Sequence, residues 1–330
     1  MKRLLALLLF AGLAAAGLFL WALNSPYAGF RGEVFVEFPR GTGTREMARQ
    51  LAEAGVIRDE WRFLAARALR RGRTLQAGEY RFGKPASVME VYGRIARGDV
   101  FYYELSVPEG KNIFEIGALA EELSLFTATE FLKVARDPSM IRDIAPQAPS
   151  LEGYLFPSTY FLTRRTSPER LCRMMTGKFR ETWRELNTEA DVHRTVTLAS
   201  LAEKEGKVPQ ERPLIAAVYL RRLELGMRMD CDPTTIYAAL LEGKWRGTIY
   251  RSDLERDHPY NTYKRTGLPP GAIANPGQKS LQAALNPAES DALFFVLRPD
   301  GSGAHTFSST YEGQQKAVAE YRRGLRDSAK

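Results

Sequence analysis

The run LASLAEKEG, residues 198–206, contains two glutamates whose carboxyl groups could donate and accept protons during a reaction. Leu198 and Leu201 recur at helical spacing, which predicts a helix with one apolar face. Glu203 and Glu205 are two residues apart, which separates them by about 200° around a helix. The two side chains therefore cannot both point into one cleft, and the run offers one carboxyl group rather than a pair.

Two further positions, one before and one after this helix, could contact a polar ligand. The aromatic-rich stretch LEGYLFPSTYFL, residues 151–162, is typical of a core strand bent at Pro157, but we keep Tyr154 as a candidate for stacking on a sugar ring. Asp232 immediately precedes a helical pattern. We expect it to be the N-cap of that helix, and substrate binding is its alternative role.

The stretch YNTYKRTGLPPGAIANPG, residues 260–277, has few long apolar side chains and contains Pro-Pro and Asn-Pro turns. Such a segment keeps its shape through proline and glycine rather than through a core. Structureless loops longer than about 12–15 residues usually have a function. The stretch therefore predicts one wall of a polar cleft, with Asn261, Tyr263 and Asn275 as hydrogen-bonding groups; an ordinary surface loop is the alternative.

The sequence predicts neither a metal site nor a cofactor. His193, His258 and His305 stand far apart, and no spacing of histidine, cysteine and aspartate matches a ligand set. Cys172 and Cys231 could form a disulfide in an oxidising compartment, but sequence alone cannot show that they are close. Cys172 lies in a helical pattern, which favours a small buried residue.

The N-terminus contains a candidate membrane anchor. Lys2 and Arg3 precede an uncharged apolar run at residues 4–23, whose length as a helix is about 30 Å, the thickness of a bilayer core. Cleavable signal peptides have shorter apolar regions of about 7–15 residues, so an uncleaved anchor is favoured over a signal peptide. The two positive residues predict a cytoplasmic N-terminus in the cell membrane and an exported remainder.

The net charge and the apolar fraction of the chain indicate which partners the exported part can have. The chain has 330 residues, a formal net charge of +8 and 44% apolar residues, which is enough for two modest domains with hydrophobic cores. A basic protein outside the cytoplasm meets anionic lipid and anionic wall polymer, so nucleic acid is not an expected partner. Most of the individual charges are expected to be solvated faces of helices.

The residues after the anchor predict a small module. β-branched and aromatic residues at 34–38 predict a strand, and a second strand is expected around residues 78–82. Helical patterns at 42–54 and 61–70 lie between them. The order strand, helix, helix, strand resembles a LysM-like fold, a βααβ module that binds N-acetylated glycan. A bare structural spacer is the alternative.

The predicted fold class is α+β, with an N-terminal transmembrane helix, a small LysM-like βααβ module and a mixed α/β catalytic region. The expected domains are residues 1–25 for the cytoplasmic tip and anchor, 31–103 for the module with a following helix at 88–97, and 104–330 for the catalytic region. A predicted strand at 101–107 joins the last two.

Five segments, in order, resemble the MltG (YceG-like) family of membrane-anchored endolytic murein transglycosylases. The resemblance spans roughly residues 31–323 and is closest from residue 151 onward. The segments are LASLAEKEG, GMRMDCDPTTIY, YNTY, GLPPGAIANPG and HTFSST. The family also carries a LysM-like module before its catalytic part, which agrees with the interpretation of residues 34–82.

The resemblance implies cleavage of the MurNAc–GlcNAc bond of nascent peptidoglycan without water, which leaves a 1,6-anhydro-MurNAc end and limits glycan strand length. Carried over by position, the catalytic acid/base is Glu203, with Glu205 as the alternative and as a candidate substrate contact. Glu205 could instead pair with Arg212. The polar residues of the 260–277 stretch are expected to bind N-acetyl groups or to stabilise oxocarbenium-like charge.

The resemblance also implies that a single carboxyl group serves twice. Protonated, it would donate to the leaving GlcNAc O4, and the resulting carboxylate would take the proton of the MurNAc C6 hydroxyl as that oxygen closes on C1. The first step needs a pKa raised toward neutrality, which partial burial could supply.

Two other functions stay open from the sequence. A non-catalytic wall-binding scaffold would keep the fold without turnover. A conventional glycoside hydrolase would need a second carboxylate, for which Asp230, Asp232 and Glu152 are candidates. Peptidoglycan synthases are partners implied by the resemblance alone.

Overall fold

The computed structural model describes residues 2–70 and 72–328 of the chain, which is a mixed α/β protein. Its backbone forms two compact units, Met1–Tyr103 and Glu104–Lys330. The first contains an apolar N-terminal helix and a two-stranded module. The second, over the described residues, contains most of the helices and two short pairs of strands.

The N-terminal helix α1, Lys2–Asn24, is apolar along almost its whole length. Its 23 residues give a helix of about 35 Å, and an 18-residue window has a mean hydropathy of 2.4. None of that window is buried inside the protein. By length and composition α1 could cross a membrane, and a signal sequence near the N-terminus would pass the same test.

A βααβ module follows α1 in the first unit. Its elements and the next helix are β1 (Val34–Phe38), α2 (Thr44–Glu53), α3 (Glu60–Leu69), β2 (Gly78–Phe82) and α4 (Val88–Arg97). The two strands are antiparallel, with Val36 opposite Tyr80. Buried side chains from all five elements form one core, among them Phe38, Leu51 and Phe63. The predicted order strand, helix, helix, strand is confirmed.

Short helices and two strand pairs build the second unit. The elements are β3 (Tyr103–Ser106), α5 (Ile113–Glu122), α6 (Ala128–Ala135), β4 (Thr159–Leu162), α7 (Pro168–Glu185), α8 (Val192–Glu205), α9 (Arg212–Glu224), α10 (Asp232–Leu241), α11 (Arg251–Glu255), α12 (Gln278–Leu285), β5 (Phe294–Leu297), β6 (His305–Ser308) and α13 (Tyr311–Ser328). Strand β3 pairs with β4, and β5 runs antiparallel to β6. A 3-10 turn, Pro209–Glu211, joins α8 to α9.

Helix α8 lies in the core of the second unit. Its residues 195–202 are buried, and it packs against α9, α10 and α12. Leu198 and Leu201 belong to one apolar cluster with Tyr219 of α9. The predicted helix with an apolar face is therefore confirmed. Because α8 ends at Glu205, both of its glutamates lie at the edge of this core.

The stretch at residues 151–162 is not the single core strand that the sequence predicted. Only Thr159–Leu162 forms β4, and the residues before it form a buried turn. Gly153 in this turn has φ +92°, a region that other residues rarely adopt. A Cβ there would lie 2.5 Å from the Ala272 side chain, so the turn needs a glycine for both reasons.

The start of α10 differs by one residue from the sequence prediction. Cys231 occupies the N-cap position and Asp232 is the first helical residue, so the predicted N-cap role of Asp232 is wrong. The carboxylate of Asp232 instead accepts a hydrogen bond from the Tyr263 hydroxyl. Cys231 and Cys172 are both free and buried, which answers the question of their pairing: no disulfide joins them.

Candidate active site

Glu203 is held by protein groups on both of its carboxylate oxygens. Its Oε1 lies 2.6 Å from Arg212 Nη2, and its Oε2 accepts a 3.0 Å hydrogen bond from the main-chain N–H of Gly277. The Glu203 side chain is 4% exposed and that of Arg212 is 9% exposed, so this is a buried ion pair. The partner that the sequence offered to Glu205, Arg212, is therefore bound by Glu203 instead.

Glu205 lines a cavity of about 200 Å³. Its Oε1 accepts hydrogen bonds from Tyr219 Oη at 3.4 Å and from Cys231 Sγ at 3.3 Å. Burial raises the pKa of Glu205, and the hydrogen bond from Cys231 partly offsets this effect. Charge repulsion from Asp232 raises the pKa further, whereas the charge of His305 lowers it. Glu205 is thus a carboxyl group that keeps its proton to higher pH than usual, beside an open space.

The cavity is polar on most sides. Besides Glu205 it is lined by Arg222, Asp232, Tyr263 and His305, and strand β5 supplies an apolar side. Tyr263 Oη donates a 2.7 Å hydrogen bond to Asp232 Oδ1, and burial raises the pKa of the phenol. A carboxylate acceptor and a phenol are therefore placed where they can bind the hydroxyl or amide groups of a ligand.

His305, the first residue of β6, faces the same cavity and is paired with Glu211. Its Nδ1 lies 2.8 Å from Glu211 Oε2, and its main-chain N–H donates to the same carboxylate at 3.0–3.1 Å. The imidazole is 4% exposed. Sequence reasoning missed this residue, which it treated only as an isolated histidine, and the HTFSST segment was the signal that could have found it.

Asn275 is wholly buried, at 0% exposure, and it connects three loops. Its Oδ1 accepts hydrogen bonds from the N–H groups of Gly153 and Leu155 at 2.8 and 2.9 Å. Its Nδ2 donates to Lys111 O at 2.9 Å and to Glu152 Oε1 at 2.8 Å. The amide is fully used by protein groups, and this geometry supports a structural role rather than the sugar contact expected from the sequence.

Glu152 belongs to the same buried network. Its Oε2 accepts a 2.9 Å hydrogen bond from the Ile113 N–H. Burial raises the pKa of Glu152 to about 8. Glu152 does not line the Glu205 cavity, whereas Asp230 and Asp232 do. Of the three carboxylates considered as a second catalytic group, the two aspartates therefore share a space with Glu205.

Asn261 shapes the turn that carries Tyr263. It is 1% exposed, and its Nδ2 donates to the main-chain carbonyls of Asp253, Leu254 and Arg256. Its Oδ1 accepts a 3.0 Å hydrogen bond from the Tyr263 N–H. Asn261 therefore supports the turn from inside, and its side chain does not line the cavity.

Tyr154 is buried as well. Its hydroxyl lies 3.0 Å from His193 Nδ1, and its ring packs edge-on against Phe179. The face that was expected to stack on a sugar is inside the protein. Among the residues that the sequence singled out, the structure thus brings together Glu205, Asp232 and Tyr263 at one cavity.

The arrangement is suited to acid/base chemistry. A protonated Glu205 can donate to an oxygen that enters the cavity, and its raised pKa keeps the proton on the carboxyl group to higher pH than usual. Within residues 2–70 and 72–328, no group of three or more histidine, cysteine, aspartate and glutamate side chains could hold a metal ion.

The chain is a mixed α/β protein with an apolar N-terminal helix and a polar cavity that the carboxyl group of Glu205 borders. Residues 36–320 match the model of the YceG-like family. The chain belongs to this family.

Individual relatives agree with this assignment. The chain is 31% identical over 309 residues to the endolytic murein transglycosylase of Bacillus subtilis, which covers 87% of this chain and 84% of that protein. It is 27% identical over 326 residues to the endolytic murein transglycosylase of Streptococcus pneumoniae, with 87% of this chain and 58% of that protein covered. A crystal structure of a YceG-like protein from Listeria monocytogenes is similar at 30% identity and a TM-score of 0.55, over 87% of this chain and 99% of that one.

Proposed function

We propose that this chain is an endolytic murein transglycosylase, a lyase that cuts within the glycan strands of peptidoglycan and leaves 1,6-anhydro-MurNAc ends. Its relatives in Bacillus subtilis and Streptococcus pneumoniae carry the name of that enzyme. The observation that carries the proposal is the Glu205 cavity. There, a carboxyl group with a raised pKa borders a polar space that can receive a glycosidic oxygen.

Glu205 is the catalytic acid in this proposal, rather than Glu203, which sequence position favoured. A general acid has to carry a proton and lie within hydrogen-bond reach of the leaving oxygen. Glu203 is ion-paired with Arg212, and both of its oxygens are bound by protein groups. Glu205 has a raised pKa and borders the cavity, which supports it as the proton donor.

One carboxyl group is enough for the simplest scheme. Glu205 gives its proton to the glycosidic O4 as the C1–O4 bond breaks, and the electron pair of that bond goes to O4. The Glu205 carboxylate then takes the proton of the MurNAc C6 hydroxyl while the C6 oxygen forms a bond with C1. No water is consumed, and the proton is back on Glu205 at the end.

Asp232 and Tyr263 are the substrate-binding residues that the geometry supports. Both line the cavity, and their mutual 2.7 Å hydrogen bond fixes their positions. A carboxylate and a phenol can bond the hydroxyl and N-acetyl groups of an amino sugar. Asn261 and Asn275 do not bind the substrate in this proposal. Their side chains form hydrogen bonds with main-chain groups of the loops, and they therefore stabilise those loops.

The rest of the chain fits an enzyme of the cell membrane. Helix α1 serves as a single-pass anchor with a cytoplasmic tip, residues 1–25, and the catalytic region, residues 104–330, lies outside the cytoplasm. The length and apolar surface of α1 support this location. Residues 31–103 form a LysM-like glycan-binding module, which the βααβ order supports. Peptidoglycan synthases that make the nascent strands are the expected partners.

A second candidate function is favoured by one observation. Asp232 shares the cavity with Glu205, and a conventional glycoside hydrolase uses two carboxyl groups on either side of the scissile bond. Such an enzyme would add water and leave a reducing end. The products therefore distinguish the two reactions.

The test uses the full chain in detergent together with its Glu205→Gln and Glu203→Gln variants. Each is incubated with purified peptidoglycan, and the products are identified by mass spectrometry. We expect anhydro ends from the wild type and, at a temperature at which circular dichroism shows it folded, from Glu203→Gln, and none from Glu205→Gln. A silent Glu203→Gln beside an active Glu205→Gln, both folded, would return the catalytic role to Glu203. Reducing ends would favour the hydrolase, and bound but uncut glycan would favour a scaffold.

A further inference from the structure

The first unit contains an open cavity of about 850 Å³ that the proposed reaction does not use. It is lined by the last residue of α1, by the loop from β2 to α4, and by one side of α4. Five basic residues line it, and these are Arg70, Arg81, Lys84, Arg94 and Arg97. Three acidic residues also line it, and these are Glu33, Glu90 and Asp99. The wall therefore carries an excess of positive charge, and we call this space the basic cavity.

The three carboxylates of the basic cavity are already bound by protein groups. Asp99 lies 3.1 Å from Arg94 Nε, and Glu33 lies 3.7 Å from Arg81 Nη1. Glu90 accepts a 2.7 Å hydrogen bond from the main-chain N–H at the N-cap of its own helix, and this bond lowers the pKa of Glu90. The acidic side chains thus neutralise two of the five cations and one helix end.

Three cations of the wall have no carboxylate partner. Within residues 2–70 and 72–328, Arg70, Lys84 and Arg97 form no ion pair, and all three are exposed. Nη1 of Arg97 lies over Gly93, where a Cβ would be only 3.1 Å away. Because these cations are in contact with water, an anion can bind them without the large desolvation cost of a buried pair. The basic cavity therefore has three positive charges that an anion can bind.

The two paired arginines are held in place by aromatic rings. The guanidinium of Arg94 lies 5.0 Å from the centroid of the Phe82 ring, and that of Arg81 lies 4.8 Å from the centroid of the Phe101 ring. Cation–π contacts favour these positions of the two guanidinium groups. Guanidinium groups donate in a planar fork that matches two oxygens of a phosphate. The arginine-rich wall is therefore suited to a phosphate group.

The position of the basic cavity relative to α1 indicates where that phosphate comes from. The apolar run at residues 4–23 spans about 30 Å of hydrocarbon, so Asn24, which lines the cavity, lies at the level of the headgroups. Leu23 is fully buried, and α1 packs against α3 and α4. Tyr27 and Ala86 exchange two main-chain hydrogen bonds, of 3.0 and 3.2 Å. These contacts fix the cavity loop close to the end of α1.

We propose that the basic cavity binds the phosphate of an anionic phospholipid headgroup in the membrane that α1 crosses. Arg70, Lys84 and Arg97 supply the unpaired charges for this phosphate. An uncharged N-acetylated glycan gains little from three unpaired cations, so the lipid is favoured over a glycan at this wall. Lipid and α1 together hold the first unit against the membrane surface at two points. This inference rests on the proposed anchoring by α1 and adds a lipid site that the transglycosylase reaction does not itself need.

Native mass spectrometry of the full chain in a neutral detergent counts the lipids bound to each molecule. Titration with phosphatidylglycerol, which is anionic, is compared with titration with phosphatidylcholine, whose headgroup has no net charge. We expect phosphatidylglycerol to bind more tightly by about tenfold or more, because basic residues near a membrane surface attract anionic lipids. Inorganic phosphate and soluble glycan strands are added as competitors at the same concentration as the lipid, and neither should displace it.

A triple variant with Arg70→Gln, Lys84→Gln and Arg97→Gln removes the unpaired charges. One basic residue near an anionic membrane surface contributes about fivefold to binding, so this variant should bind phosphatidylglycerol about 100-fold more weakly. A matched control removes three exposed positive charges that do not line the cavity, and its substitutions are Arg40→Gln, Arg45→Gln and Arg323→Gln. The control should bind the lipid as the wild type does.

Unchanged phosphatidylglycerol binding in the folded triple variant would overturn the inference, because the lipid would then bind around α1 alone. Equal binding of phosphatidylcholine, or displacement by phosphate or by glycan, would also overturn it. If circular dichroism shows that the triple variant does not fold, Lys84→Gln in the exposed loop takes its place. A loss of about fivefold in Lys84→Gln then supports the lipid site, and an unchanged affinity contradicts it.

The anchor on which the inference rests is tested separately, by flotation of the full chain with phosphatidylcholine vesicles. A chain that does not float contradicts the proposed anchoring by α1 and this inference together. A chain that floats but binds phosphatidylglycerol no better than the triple variant contradicts the lipid site alone. No glycan is cut in these titrations, so their result does not depend on the proposed reaction.

Discussion

The carboxylate of Glu203 and the guanidinium of Arg212 meet at 2.6 Å in a place that is almost closed to solvent. Arg212 is the first residue of α9, and the other Glu203 oxygen is bound by the Gly277 N–H. The pair therefore connects the end of α8 to the start of α9 and to the loop before α12. Removing one partner of a buried pair leaves an uncompensated charge, which costs more than the pair itself contributes.

Arg212→Met is accordingly expected to lower the free energy of unfolding by about 3–5 kcal/mol. The double variant Glu203→Met with Arg212→Met should recover most of that loss, because it removes both charges. Denaturant unfolding of the full chain in detergent measures both values. Arg221→Gln, which breaks an exposed pair with Glu224, is the control and should change stability by less than about 1 kcal/mol. A loss that small in Arg212→Met would contradict the structural role of the pair.

The thiol of Cys231 donates a 3.3 Å hydrogen bond to Glu205, which lowers the pKa of that carboxyl group against the larger effect of burial. A thiol is a weak donor, whereas a hydroxyl is a stronger one and favours the charged form of a carboxyl group that it contacts. Cys231→Ser should therefore lower the pKa of Glu205 and move the alkaline limb of kcat/KM to lower pH. Cys231→Ala removes the donor and should move that limb to higher pH.

The matched control for these two variants is Cys172→Ala, a buried cysteine of α7 that does not contact Glu205. Its alkaline limb should coincide with that of the wild type. If all three cysteine variants share one limb, then Cys231 does not act on the catalytic proton, or the limb belongs to a group other than Glu205.

The buried carboxyl group of Glu152 makes stability depend on pH. Its pKa in the folded protein is raised to about 8 from 4.5, mainly by burial. An acid with a raised folded-state pKa contributes its full stability below the unfolded-state value and loses it as the pH rises through the folded-state value. Unfolding free energy should therefore fall between pH 4.5 and about 8, with a slope of up to about 1.4 kcal/mol per pH unit.

The glutamine of Glu152→Gln cannot ionise. The decrease of unfolding free energy with pH between 4.5 and about 8 should therefore become smaller in this variant, even if the variant is less stable than the wild type at low pH. Denaturant unfolding at several pH values between 5 and about 8.5 tests this. An equally steep slope in the variant would mean that other groups, and not Glu152, cause the pH dependence.

Local sequence patterns determined much of the fold in advance. The strands Val34–Phe38 and Gly78–Phe82 and the helix Val88–Arg97 were predicted with the bounds that the structure has. The first strand contains valine and phenylalanine, the second contains tyrosine and phenylalanine, and the helix has apolar residues at helical spacing. The same reasoning placed Glu203 and Glu205 on one helix but on different sides of it.

What each of these side chains faces depends on residues that no local pattern connects. Whether Arg212 pairs with Glu203 or with Glu205 is decided by the path of the chain through the turn Pro209–Glu211. Glu211 and His305 are 94 residues apart in sequence. A helical period gives the angle between two residues and says nothing about their partners.

The polar loop at 260–277 illustrates a second limit. Its polarity predicted a cleft wall, and Tyr263 does line the cavity. Asn275 is equally polar, but its amide satisfies buried main-chain groups of Gly153, Leu155 and Lys111. Buried main-chain N–H and C=O groups need hydrogen-bond partners, and so do the polar groups of a ligand. The amino-acid composition of the loop therefore does not show which of its asparagines binds a ligand and which stabilises the fold.

Tyr263→Phe tests whether the cavity is where the glycan binds. The substitution removes the hydroxyl that bonds Asp232 Oδ1 at 2.7 Å and keeps the ring. If this pair contacts the substrate, KM should rise by about 10- to 100-fold with kcat changed much less, since a hydrogen bond to a charged group contributes about 1.5–3 kcal/mol. Asp232→Asn should change KM in the same direction, and Tyr311→Phe, an exposed tyrosine of α13, should change nothing. Steady-state kinetics on glycan strands and thermal melting of each variant are the measurements. A lower melting temperature with an unchanged KM would show that the hydrogen bond only supports the fold.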